Sequence, residues 1–170
     1  MKNLFLVTLL ILFTFSSFSQ AFSEKEMLNA LNARKIEMDE GNGDGVFKAQ
    51  HKSTKKWGMY QYMYEGVDTK ELVPMEYDSL KFIPYNGAYS VVYNNGKLGL
   101  HLSRWSFGDG AKQSVPCLYD EYKRYKVDGS LYIAFSKNGL WGWVDWKTGE
   151  EKTEFITKEA DDLPYPTYKQ

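Results

Sequence analysis

The feature that most constrains this chain is a repeat. Trp57-Gly58, Leu98-Gly99 and Trp141-Gly142 stand 41 and 43 residues apart. Val73-Pro74-Met75-Glu76-Tyr77-Asp78 returns 42 residues later as Val115-Pro116-Cys117-Leu118-Tyr119-Asp120. Asn95-Gly96 and Asn138-Gly139 precede the second and third pairs, and Tyr89 and Tyr132 each lie nine residues ahead of the next Leu-Gly or Trp-Gly. Anchors in one order at one period describe a single supersecondary unit. Such a unit cannot bury its apolar face alone and is stabilised by stacking on its neighbours. The unit is about 42 residues long, present twice with a third, truncated copy.

Inside the unit the apolar residues alternate. Phe47, Tyr60, Tyr62, Tyr64, Tyr89, Val91, Tyr93, Leu131, Ile133 and Phe135 fall in short runs of period two, the signature of strands with two distinct faces. Asn95-Gly96, Asp109-Gly110, Asp128-Gly129, Asn138-Gly139 and Thr148-Gly149 punctuate them. Asn-Gly suits a two-residue hairpin because both positions of a type I′ turn need positive φ. Aromatic residues make up 16% of the chain, which also favours strands. The expected fold is mostly β: antiparallel hairpin repeats forming a solenoid-like or partly closed, barrel-like sheet, preceded by one N-terminal helix.

Each repeat slot has a structural reason. Trp57 and Trp141 bring apolar burial on the order of 2–3 kcal/mol, and Leu98 can fill the same slot in the middle copy. Gly58, Gly99 and Gly142 let a neighbouring backbone or ring come close. Proline marks where strand pairing stops. Tyr77 and Tyr119 bury a ring while keeping the hydroxyl on a partner. Asp78 and Asp120 can accept backbone hydrogen bonds at a turn. These residues resemble the WG-repeat family: an Asn-Gly turn, a Trp-Gly opening a strand, a Thr-Gly turn, an apolar strand ending in Pro, then Tyr-Asp. Residues 138–149 are the closest copy, and the resemblance covers about residues 46–156. It departs at Leu98, in the longer turns at 64–70 and 105–112, and in a third copy lacking the Pro and Tyr-Asp half. The resemblance implies a bacterial exported protein and no general enzymatic activity.

The flanking segments differ. Residues 1–19 carry Lys2, then an apolar run from Leu4 to Phe15, with small residues at Ser17 and Ser19. That is a signal-peptide pattern with cleavage near Ser19/Gln20, and the run is too short to span a bilayer comfortably. The mature chain is expected to be periplasmic or secreted, with no integral membrane segment. Residues 20–45 are read as a helix and a Gly-rich turn. Ser23 and Glu26 have capping-box spacing, and Met27, Leu28 and Leu31 share one face with Ile36 near its edge, predicting a helix over 24–38 that caps the repeat array. Residues 39–45, DEGNGDG, place glycine where a calcium loop needs oxygen ligands, so they read as a turn. Residues 157–170 form a C-terminal tail, extended or loosely docked.

Little here points to chemistry. Twenty-one basic and 22 acidic residues leave no electrostatic footprint for nucleic acid. His51 and His101 lack the close partners of a metal or catalytic site. Cys117, the one cysteine, reads as a small buried hydrophobe. No catalytic, cofactor-binding or metal-ligating residue is expected, and no cofactor. The candidate binding surface is the turn carrying Arg104, Trp105 and Phe107, two aromatics beside turn residues. The expected function is a non-enzymatic interaction module for a protein or envelope component. The alternative is a cell-wall glycan binder using Trp105, Trp143 and Trp146, which needs exposed tryptophans. A carboxylate-based hydrolase using Asp78 and Asp120 is the third reading. Open sheet edges offer a route to self-association.

Overall fold

The computed structural model describes residues 24–39, 45–63, 68–83 and 87–167. A short helix, α1 (Glu24–Ala30), leads into three antiparallel sheets. The first runs β1 (Ala33–Met38), β2 (Val46–His51), β3 (Trp57–Tyr62) and β4 (Thr69–Tyr77). The second runs β5 (Ser79–Leu80), β6 (Tyr89–Asn94), β7 (Lys97–Leu102) and β8 (Gln113–Tyr119). The third runs β9 (Glu121–Val127), β10 (Ser130–Lys137) and β11 (Leu140–Val144). Each sheet is a meander, one per copy of the repeat. None closes into a barrel.

Period-two alternation assigns each strand's residues to two different cores. In β2, Phe47 joins the cluster under α1, while Val46 joins the cluster between the first and second sheets. In β6, Val92 faces the first sheet's core and Val91 the third's. In β10, Ile133 and Phe135 face the second sheet, while Tyr132 and Ala134 face outward with Trp143. The sheets are therefore stacked, and the inner one is apolar on both faces.

The turns that hold this register are those the sequence announces. Asn95-Gly96 joins β6 to β7 with φ of 53° and 75°, and Asn138-Gly139 joins β10 to β11 with 56° and 77°. Asp128-Gly129 turns β9 into β10 in the same way. Asp109-Gly110 instead lies in a single 3-10 turn, preceded by the one-turn helix α2 (Arg104–Phe107).

The fourth strand of the first two copies is bulged over the repeat glycine. Trp57 pairs with Tyr77 and Met59 with Val73, so Pro74, Met75 and Glu76 stand opposite Gly58 alone. Leu98 pairs with Tyr119 and Leu100 with Val115, which puts Pro116, Cys117 and Leu118 opposite Gly99. Proline fits a bulge because its missing N–H is not needed there. In the third copy only two bridges, Val144 to Glu151 and Trp141 to Thr157, replace the fourth strand. Phe155 then lies against Gly142.

Two expectations are corrected. The helix over 24–38 stops at Ala30, because Asn32 turns left-handed at φ 48° and residues 33–38 pair with the otherwise free edge of β2. Met27, Leu28, Leu31 and Ile36 do share one cluster, but from two different elements. The first copy is consequently a full four-stranded unit. Trp143 and Trp146 are both buried, although alternation directs them to opposite faces. One enters the core between the second and third sheets, and the other is covered by the tail. Trp143 Nε1 donates to the Pro164 carbonyl at 2.8 Å, and Lys123 reaches Asp161, so the tail is docked through residue 166. Residues 1–19, read as a signal peptide from their pattern, and most of the Gly-rich turn at 40–45 lie outside the described residues.

The bulge makes a prediction. A Cβ at Gly99 would lie 2.3 Å from the Val115 carbonyl oxygen, and one at Gly58 2.9 Å from that of Val73. At Gly142 the nearest atom is a ring carbon of Phe155 at 3.0 Å, which can move. Gly99→Ala should cost about 1–3 kcal/mol, Gly58→Ala less and Gly142→Ala least. Chemical denaturation of the three variants checks the order.

Candidate functional site

The repeated acidic residues are built into the junctions between sheets. Asp78 follows Tyr77 at the end of the first copy and reaches the hairpin of the second. Its Oδ2 accepts from the Asn95 backbone N–H at 2.7 Å, and its Oδ1 accepts from Lys56 Nζ at 2.7 Å. Asp120 repeats this one copy later. It accepts from the Asn138 N–H at 2.8 Å and from Lys97. Lys56 and Lys97 each precede the repeat's Trp or Leu. The lysine bond, then the backbone N–H, holds both carboxyls below the usual carboxylate range. Each carboxylate serves its own turn and its own lysine, the geometry of a clasp rather than of a shared acid–base pair. In the third copy Thr157 and Lys158 occupy the Tyr-Asp slots.

Arg104, Trp105 and Phe107 sit on α2, whose start is capped by Ser103, its side chain accepting from the Trp105 N–H. Both rings are half-buried and fold back onto the stack. Trp105 packs on the core between the first two sheets, and its Nε1 donates to Gln61 Oε1 at 2.8 Å. Phe107 meets Trp146 edge-on, with centroids 6.3 Å apart. Both rings are tied into the stack, so this turn also braces neighbouring copies. The repeat slots Trp57, Tyr77 and Tyr119 likewise pack in the seams between sheets, Trp57 half-buried and the two tyrosines buried. Trp141, also half-buried, packs with Trp143 under the tail.

The histidines and the cysteine are also structural in placement. His51 Nδ1 accepts from the Ser53 and Thr54 N–H groups, closing the turn after β2. His101 is buried, its Nδ1–H donating to the Leu102 carbonyl at 2.8 Å, with its ring edge-on to Tyr77. Burial lowers its pKa, keeping it neutral. Cys117 is half-buried in the bulge, and burial raises its thiol. Among the described residues no group of three or more His, Cys, Asp or Glu side chains is gathered to hold a metal ion. No helix among them is long and apolar enough to cross a membrane.

What faces solvent is different. Pro116 and Leu118 project from the bulge of β8, and Ile156 occupies the Leu118 position of the third copy. Leu118 is 51% exposed and Ile156 66%. A second open feature lies between the third sheet and the tail, lined by Tyr125, Trp143, Asp161 and Tyr165 among others. Sequence reasoning missed both. The first was legible in the repeat alignment, where Leu118 stands in the slot of Glu76. The second brings together residues of β9, β11 and the tail with no local signal. The chain matches no family model, no curated protein and no solved structure.

Two predictions follow from this geometry. Asp78→Ala and Asp120→Ala should each lower the melting temperature at pH 7. A lowered carboxyl pKa contributes stability that is complete above the unfolded value of about 3.9 and fades as pH falls through the folded one. The variants should therefore converge with the parent as pH falls through the folded carboxyl range, and melting curves across pH check this. Trp105→Ala and Phe107→Ala should each cost roughly 1–3 kcal/mol, as half-buried rings in a packed seam. Unchanged melting temperatures would contradict the brace.

Proposed function

We propose that this chain is an exported, non-enzymatic protein of the WG-repeat type that works as an interaction module for a protein or another envelope component. The observation that carries this reading is where the apolar side chains are exposed. All five tryptophans are buried or half-buried, which weighs against an exposed platform of coplanar indoles for a glycan. Pro116, Leu118 and Ile156 project instead from fourth-strand positions, aliphatic contacts suited to a protein partner. The groups that could do acid–base work, Asp78, Asp120, His51 and His101, are engaged in turns and junctions. Export rests on the leader pattern of residues 1–19.

Sheet edges bear on how such a module would dock. β8 carries Pro116 in its bulge, and β9 carries Glu121, Lys123, Arg124 and Lys126. Proline and lysine at an edge discourage strand addition. Side-chain contact on the fourth strands is thus favoured over edge pairing, both for a partner and for a second copy.

The test is a pull-down from envelope extract, in parallel with purified cell-wall glycan. A specific protein should be retained by the parent chain and lost with Leu118→Lys plus Ile156→Lys, while melting temperatures stay within about 0.5 kcal/mol equivalents. Retention on glycan alone would replace this reading with the carbohydrate one.

A further inference from the structure

The docked tail does more than cover an apolar face. Between it and β9–β11 lies an open pocket of about 230 Å³. Its walls are aromatic: Tyr125 and Trp143 meet edge to face at 5.2 Å, and Tyr165 joins them from the tail. Tyr165 is held there by its hydroxyl, which donates to Asp128 Oδ2 at 2.6 Å. The Trp143 indole N–H is engaged by the Pro164 carbonyl, so its ring rather than its donor is what the pocket meets.

The lining holds one acid, Asp161, and a cation stands at its rim: Lys123 Nζ lies 5.5 Å from the centroid of the Tyr125 ring. Asp161 is already engaged: both of its oxygens accept from Lys123 Nζ at 2.7 Å, and Oδ1 also accepts from the Tyr125 hydroxyl at 2.8 Å. A primary ammonium, which needs acceptors for three N–H groups, would have to displace these bonds. A quaternary ammonium has no N–H and needs none. It is attracted by the quadrupole of ring faces and by a nearby carboxylate, and it is weakly hydrated.

We propose that this pocket binds a quaternary ammonium group, with Tyr125, Trp143 and Tyr165 as its walls and the Asp161 carboxylate, shared with Lys123, beside it. The assignment stands whether or not the chain docks a protein through its fourth strands.

Titration calorimetry on the purified chain tests it, with choline, free trimethyllysine and 3,3-dimethylbutanol, the uncharged carbon isostere of choline. At least one cation should bind saturably with Kd of about 1 mM or tighter, and the isostere at least about tenfold more weakly. The tighter cation names the carrier. Tyr165→Leu, at an exposed position, should weaken the cation by about threefold or more with unchanged melting temperature, and Asp161→Asn should weaken the cation by as much while leaving the weaker binding of the isostere as it is. Equal binding of isostere and cation would overturn the proposal, as would no heat up to about 20 mM or variants that bind like the parent.

Discussion

Two-faced burial is the constraint on which this structure depends. A sheet that is apolar on both sides cannot exist alone in water, and the second sheet here sends Val91 one way and Val92 the other. Its stability is therefore held jointly with its neighbours, as in other repeat arrays. The same constraint explains the aromatic content. Tyr77 and Tyr119, almost wholly buried, fill one slot in two successive copies. The hydroxyl of Tyr119 still reaches Glu151 at 3.0 Å, so a large ring is buried without orphaning its polar end.

Stacking by apolar faces alone would leave the sheets free to slide or rotate. The junctions prevent that with polar contacts of fixed direction. A carboxylate at the end of one copy caps the Asn-Gly turn of the next and takes a lysine from its own copy. Exposed ion pairs contribute little to stability. A charge-assisted bond to a backbone N–H is directional, however, and fixes where the next hairpin begins. The bulge over the repeat glycine works alongside. By pressing the fourth strand against Gly58 or Gly99 it bends that strand toward the next sheet, and it turns Glu76 or Leu118 outward. One local device thus sets the path of the chain and creates the exposed row.

Much of this was legible because it is local. The Asn-Gly turns and the alternating strands act within a few residues of themselves, and the Tyr-Asp slots, whose partners lie 17 and 18 residues on, were legible because they recur at the repeat's period. β1 was not legible. Residues 33–38 read Ala-Arg-Lys-Ile-Glu-Met, good helix formers, and only the free edge of β2 makes them a strand. The fate of the aromatic turn was hidden for a similar reason. Trp105 is held by Gln61, 44 residues away, and Phe107 by Trp146, 39 positions on. An aromatic in a glycine-rich loop looks like a binding residue until its distant partner is known.

The two ends of the stack are solved differently, and the difference has a consequence. At the first sheet a helix lays Met27 on Phe47, Ala49 and Tyr60, an apolar cap with no titratable group in its cluster besides the tyrosines. At the third sheet there is no α-helix and no Tyr-Asp clasp. A segment with two prolines, extended apart from a 3-10 turn at Ala160–Asp162, covers Trp143 instead, tied by one indole bond and by Asp161. An extended strap fills a face less completely than a helix, because its side chains alternate away from the sheet. The space it leaves is walled by the rings that a further copy would have buried. An array that ends in a strap rather than a sheet therefore keeps an aromatic recess at its terminus, beside a carboxylate that has no next turn to cap.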